Sequence, residues 1–174
     1  MIARRRLLAQ LLPLALPPLL AGCGWEPLYA DPKTEQGSAD LRAITVSPIP
    51  ERIGQRLEMG LRNSFNPDNQ PTKPLYKLAV TPTISLQSLG IQSQGLGTRG
   101  EVQLSASYVL SDLASGRVLQ TGGVHAADSF DIQANGYSTV VAQEDARVRV
   151  VEEVRREIVN RLTIYMQNKG MAAS

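Results

Sequence analysis

Thiol and imidazole, the side chains most often used in covalent and metal chemistry, occur once each in this chain. Cys23 is the sole cysteine, placed in the run Leu20-Ala21-Gly22-Cys23 just after an apolar stretch. The small residues before it leave both the thiol and the preceding peptide bond accessible. His125 is the only histidine, with no second imidazole or free thiol to complete a metal site. Residues 95–100, Gly-Leu-Gly-Thr-Arg-Gly, match G-x-G-x-x-G. That fingerprint holds a pyrophosphate only where a helix opens directly after it, and here the alternating Glu101-Val102-Gln103-Leu104 reads as strand. The acid pairs Glu144-Asp145 and Glu152-Glu153 fall in helical sequence and read as solvated surface. No G-x-S-x-G, H-E-x-x-H or P-loop is present. The expectation is a protein that is not an enzyme, with no cofactor and no metal.

The segment before Cys23 sharpens that reading. Arg4, Arg5 and Arg6 precede an apolar run from residue 7 to residue 20 that contains Pro13, Pro17 and Pro18. A helix over that run would span roughly 21 Å against a hydrocarbon core of about 30 Å, and the prolines weaken it further. Such a cationic then apolar segment is the form of a secretory signal. Its end resembles the bacterial lipobox, which implies cleavage before Cys23, a diacylglycerol on its sulfur and a further acyl chain on its amine. Two or more chains give lasting membrane attachment where one is marginal. Gly24 follows the cysteine. By resemblance to enterobacterial lipoproteins, where aspartate at that position retains the protein at the inner membrane, it favours the outer membrane.

Charge excludes one class of partner. With Arg4, Arg5 and Arg6 removed, the 18 basic residues fall to 15 against 16 acidic ones, so the +2 of the full chain becomes −1. No nucleic-acid footprint remains. The 152 residues left when 22 of the 174 are cleaved suffice for one domain with its own core.

The elements that must carry any function follow from periodicity. Residues 24–39 read as a tether, and residues 41–46 as a short strand closed by Pro48 and Pro50. In residues 51–65, Ile53, Leu57, Gly60, Leu61 and Phe65 recur at helical spacing. Tyr76, Leu78, Val80, Ile84 and Leu86 alternate with polar residues, as do Val102, Leu104, Ala106, Tyr108 and Leu110, which predicts two half-buried strands. Pro82 points to an edge or a bulge. Residues 113–117 read as a hairpin turn and residues 118–127 as the returning strand, with Gly122 and Gly123 as a candidate bulge. A long helix over about 138–166 carries Val140, Val148, Val151, Val154, Ile158, Leu162 and Tyr165 on one stripe. The order β-α-β-β-β-α predicts an α+β two-layer sandwich: a four-stranded mixed sheet, two helices on one face, and a Ser/Thr/Gln-rich face left uncovered.

Taken in order, these pieces resemble a known family. Cys23-Gly24-Trp25-Glu26-Pro27-Leu28-Tyr29 is similar to the C-G-F-x-P-L-Y opening of α-proteobacterial LPS-assembly lipoproteins of the LptE (RlpB) family. Residues 98–110 and 128–162 resemble that family's third strand and its final loop and helix. The resemblance covers essentially the whole chain after the signal. It implies a signal peptide (1–22), a lipidated tether (23–39), an LptE-like α/β domain (40–168) and a flexible tail (169–174). It further implies an outer-membrane lipoprotein that plugs the lumen of the LptD β-barrel, helps it assemble, and assists lipopolysaccharide transport to the outer leaflet. Arg99, Arg117 and Lys77 are the basic residues then expected to meet lipopolysaccharide phosphates. An auxiliary lipoprotein of an ABC-type lipid transporter is the alternative reading of the same features.

Overall fold

A computed structural model describes residues 39–69, 72–88 and 99–172. The signal peptide and almost all of the tether therefore lie outside the described residues. The elements are β1 (Ile44–Val46), α1 (Arg52–Phe65), β2 (Tyr76–Ser88), β3 (Arg99–Asp112), β4 (Val118–Asp131) and α2 (Gly136–Ala172). They form one sheet in the order β1-β2-β3-β4. β1 runs parallel to β2, and the remaining pairs are antiparallel. This is the expected α+β arrangement.

One-sided burial explains the alternation. Leu78, Leu104 and Leu110 have no exposure, and Tyr76, Val80, Val102, Ala106 and Tyr108 are buried beside them. Leu57, Leu61 and Phe65 of α1 and Ala146, Val150, Val151, Val154, Ile158, Leu162 and Met166 of α2 complete the core. Each fully buried aliphatic or aromatic side chain stabilises the fold by about 1.5–3 kcal/mol relative to exposure. Among the described residues, no buried one is polar or charged.

Several boundaries depart from the sequence expectation. The chain makes a helical turn at residues 39–42 before β1, so the first strand keeps only three residues. β4 continues to Asp131, because Phe130 folds its ring over Gly100 across the pair; a Cβ there would lie 2.4 Å from the ring. Gly122 and Gly123 pair in regular register opposite Tyr108 and Ser107, and the irregularity falls at Leu110/Ser111 instead. Gly122 is glycine because Tyr108 covers it: a Cβ would sit 2.5 Å from the phenol oxygen. Residues 169–172, expected as part of a tail, belong to α2, where Lys169 Nζ donates to Tyr76 Oη at 2.8 Å and lies over its ring. Val140, assigned to the buried stripe, is 63% exposed.

Both sheet edges carry a guard. Tyr76 N–H bonds Ala43 O and Leu78 O accepts from Ser47 N–H, so the even-numbered positions of β2 face β1. Pro82 shares that phase and lies past the end of β1, so its missing donor faces an open edge, as proline in a sheet requires. On the opposite edge Arg161 Nη1 donates to Gly123 O at 2.9 Å while its Nε bonds Glu157. A charged side chain over an unpaired edge blocks pairing with another strand.

Candidate functional site

Helices α1 and α2 lie over one sheet face, and among the described residues no element covers the other. Register sets its composition row by row: Ala79–Val109–Thr121, Thr81–Ser107–Gly123, Thr83–Ser105–His125, Ser85–Gln103–Ala127, and Gln87–Glu101–Ser129. The three middle rows hold no residue that is charged at neutral pH with His125 neutral. Formal charge sits toward the rims, as Lys77, Glu101 and the Arg99–Asp131 ion pair at 3.8 Å. Hydroxyls and amides on short side chains make a flat surface that donates and accepts hydrogen bonds and carries little desolvation penalty for charge. Such a surface suits docking against another polar wall.

The groove beside β1, about 550 Å³, is lined by Arg42, Arg62, Asn63, Asn66 and Thr72 among others, with no carboxylate, histidine or cysteine. It therefore has no general acid or base. Two open grooves, beside β4 and beside the start of α1, hold carboxylates that pair with neighbouring arginines, Asp128 with Arg149, Glu153 with Arg156 and Glu144 with Arg147. Among the described residues, no group of three or more His, Cys, Asp or Glu side chains could hold a metal ion. No described helix is long and apolar enough to cross a membrane.

The residues singled out in the sequence separate. Cys23 lies outside the described residues. Arg99 opens β3 and Asp112 closes it, fourteen residues end to end, which places Arg99 about 44 Å from the β3–β4 turn. Arg117 sits in that turn, with Lys77 near it, opposite Ser111. The turn itself is tightly built. Ser115 N–H and Oγ–H both reach Asp112 Oδ1 at 2.8 Å, Gly116 takes φ 70°, and Asp112 N–H bonds Arg117 O. The Ser115 donors, backbone first, hold the Asp112 carboxyl below its ordinary range. So Arg99, Arg117 and Lys77 do not form one cluster.

Sequence reasoning missed two features. Arg155 joins the helices, its Nη1 donating to Ser64 Oγ at 2.5 Å and its Nε to Glu152 at 2.8 Å. Gly60 makes room for it, since a Cβ there would meet Arg155 Cδ at 2.7 Å. Leu75, Leu113 and Val118 are about half exposed at the turn end; an apolar residue in a turn signature was the available signal.

No family model matches the chain, and no curated protein matches its sequence. Solved structures do. A candidate lipoprotein from Caulobacter crescentus superposes with a TM-score of 0.61 at 21% identity, over 76% of this chain and 97% of that one. A minor lipoprotein from Acinetobacter baumannii gives 0.50 at 17% identity, over 70% and 88%. Rare lipoprotein B from Shewanella oneidensis gives 0.48 at 11%, over 75% and 96%. The first two establish the fold as one found among bacterial lipoproteins.

Proposed function

We propose that the protein is an LptE-type lipoprotein of the outer membrane, acylated at Cys23, whose bare sheet face docks inside the polar lumen of a large LptD-type β-barrel and helps that barrel assemble and pass lipopolysaccharide outward. The observation that carries this reading is the uncovered face itself. Its middle rows are built from Thr81, Thr83, Ser85, Gln103, Ser105 and Ser107 with Gly123, His125 and Ala127. A barrel interior is lined by polar side chains, and a plug must satisfy them without burying unpaired charge. The Leu20-Ala21-Gly22-Cys23 run supplies the anchor, Gly24 supports the outer membrane as destination, and the fold shared with lipoproteins agrees with both. Lipopolysaccharide phosphates would then meet basic groups at two separate ends, Arg99 at one and Arg117 with Lys77 at the other. No residue is assigned to catalysis, and no cofactor beyond the acyl chains enters the reading.

Isolation of the tagged, lipidated protein from its own outer membrane in mild detergent, followed by mass spectrometry, tests it. The expected result is one large β-barrel in stoichiometric amount. Recovery with ATPase and permease subunits instead would assign the chain to an ABC-type lipid transporter.

A further inference from the structure

Three of the half-exposed apolar residues that the core does not use lie together. Lys77, Ser111 and Val118 form one row across β2, β3 and β4. Leu113 N–H bonds Leu75 O at 2.8 Å just beyond that row. Leu75, Leu113 and Val118 are 47%, 44% and 55% exposed, and the exposed Lys73 and Arg117 neighbour them in the chain. The acid within the turn, Asp112, is occupied by the two Ser115 donors. The result is a small apolar knuckle flanked by Lys73, Lys77 and Arg117.

The chain leaves the described domain at this same end. Residue 39 lies a few residues before β1, and Ile44 is the register partner of Tyr76, where β2 begins. From there 16 residues lead back to Cys23, a reach of up to about 55 Å when extended. A tether of that length holds the domain near a bilayer without fixing which side faces it.

We propose that, before the bare face docks in the barrel, the β3–β4 turn end, with Leu75, Leu113 and Val118 inserted and Lys73, Lys77 and Arg117 on phosphates, rests on the anionic glycerophospholipid surface in which Cys23 is anchored. The proposal rests on acylation of Cys23. Two observations select that partner: the anchored segment leaves the domain at this end, and Lys73, Lys77 and Arg117 adjoin the apolar groups in chain and register. That pairing of short apolar side chains with basic neighbours gives interfacial attachment. The contact orients the domain on its tether, with the β3 end that carries Arg99 pointing away from the bilayer.

The test uses the full mature lipoprotein, with acylation of Cys23 verified by mass. An environment-sensitive fluorophore is placed in turn at Val118→Cys, Ser105→Cys and Val140→Cys, in vesicles of phosphatidylethanolamine and phosphatidylglycerol doped with spin-labelled lipid. The expected result is quenching at position 118 alone. Lys77→Gln and Arg117→Gln should each lower the ratio of docked to lifted protein about fivefold, and phosphatidylcholine vesicles should abolish the docked signal. Quenching at position 140, or at no position in protein shown to be acylated, would overturn the proposal. So would quenching that appears only when lipopolysaccharide is added to the vesicles. An unacylated Cys23 would overturn the anchor reading and this proposal together, and the mass separates that failure from the others.

Discussion

Gly122→Ala is a small change with a computable consequence. Gly122 sits opposite Tyr108, which is 2% exposed, and a Cβ at position 122 would lie 2.5 Å from the phenol oxygen and 2.6 Å from Cζ. Both distances are far inside van der Waals contact, so the ring must move. It is confined by the core beneath α2 and shares a 3.5 Å contact with Gln120 Nε2. Overpacking of this kind costs about 1–3 kcal/mol. The opposing term is the lower backbone freedom of the unfolded chain, about 0.4–1 kcal/mol in favour of alanine. The net expectation is destabilisation of about 1–2 kcal/mol. Urea unfolding followed by circular dichroism should show a lowered midpoint with an unchanged slope. The pairing is checked by a cycle with Tyr108→Ala. On that background Gly122→Ala should cost nothing or stabilise, with a coupling of about 1–2 kcal/mol. If Gly122→Ala were neutral beside the intact tyrosine, close approach of the ring would not be the reason for the glycine.

Further outcomes follow from the same geometry. Ser107→Asp on the bare face should leave urea stability within about 0.5 kcal/mol yet abolish co-isolation of the barrel, because a lone carboxylate would be buried there without a partner. Arg155→Ala removes the bond to Ser64 and the pair with Glu152; partial exposure holds the loss to about 1 kcal/mol, read as a urea midpoint shift. Asp112 has a lower pKa folded than unfolded, because Ser115 donates to its carboxylate. Its contribution is therefore present above the unfolded value of about 3.9 and disappears as pH falls through the lower folded one. Asp112→Asn should flatten that acid limb in urea titrations across pH. Arg99→Asp and Arg117→Asp, about 44 Å apart, should weaken lipopolysaccharide binding independently, so their effects on the logarithm of Kd should add.

The parts of this fold that the sequence carries openly are those buried on one side only. Leu78, Val80, Leu104 and Leu110 alternate with hydroxyls because the helices cover one face, and that alternation survives any choice of neighbour. Other features depend on contacts between distant residues. The three-residue length of β1 depends on the turn at 39–42, and the end of β4 on Phe130 lying over Gly100. Val140 has the helical phase of a core residue but lacks something to cover. Arg149 of α2 pairs with Asp128, whereas Val140 lies nine residues earlier, about 13 Å along the helix, with only three residues of β4 left beneath it. The uncovered face was legible because Thr81, Ser105 and Ser107 share the odd phase of their strands. Separation of Arg99 from Arg117 was hidden by ignorance of the register, although both flank predicted strands. The knuckle of Leu75, Leu113 and Val118 was hidden for the same reason, since the lead into β2, the β3–β4 turn and the start of β4 must meet to form it.

The bare sheet face as a docking surface is the claim on which the functional reading depends most. Photo-crosslinking in living cells tests it directly, with a crosslinking side chain placed at Thr83 or Ser105 on that face and, for comparison, at Arg156 on the exposed side of α2. The account predicts that both face positions capture the same large outer-membrane β-barrel. Capture of ATPase or permease subunits, or of nothing at the face while Arg156 finds the barrel, would contradict it.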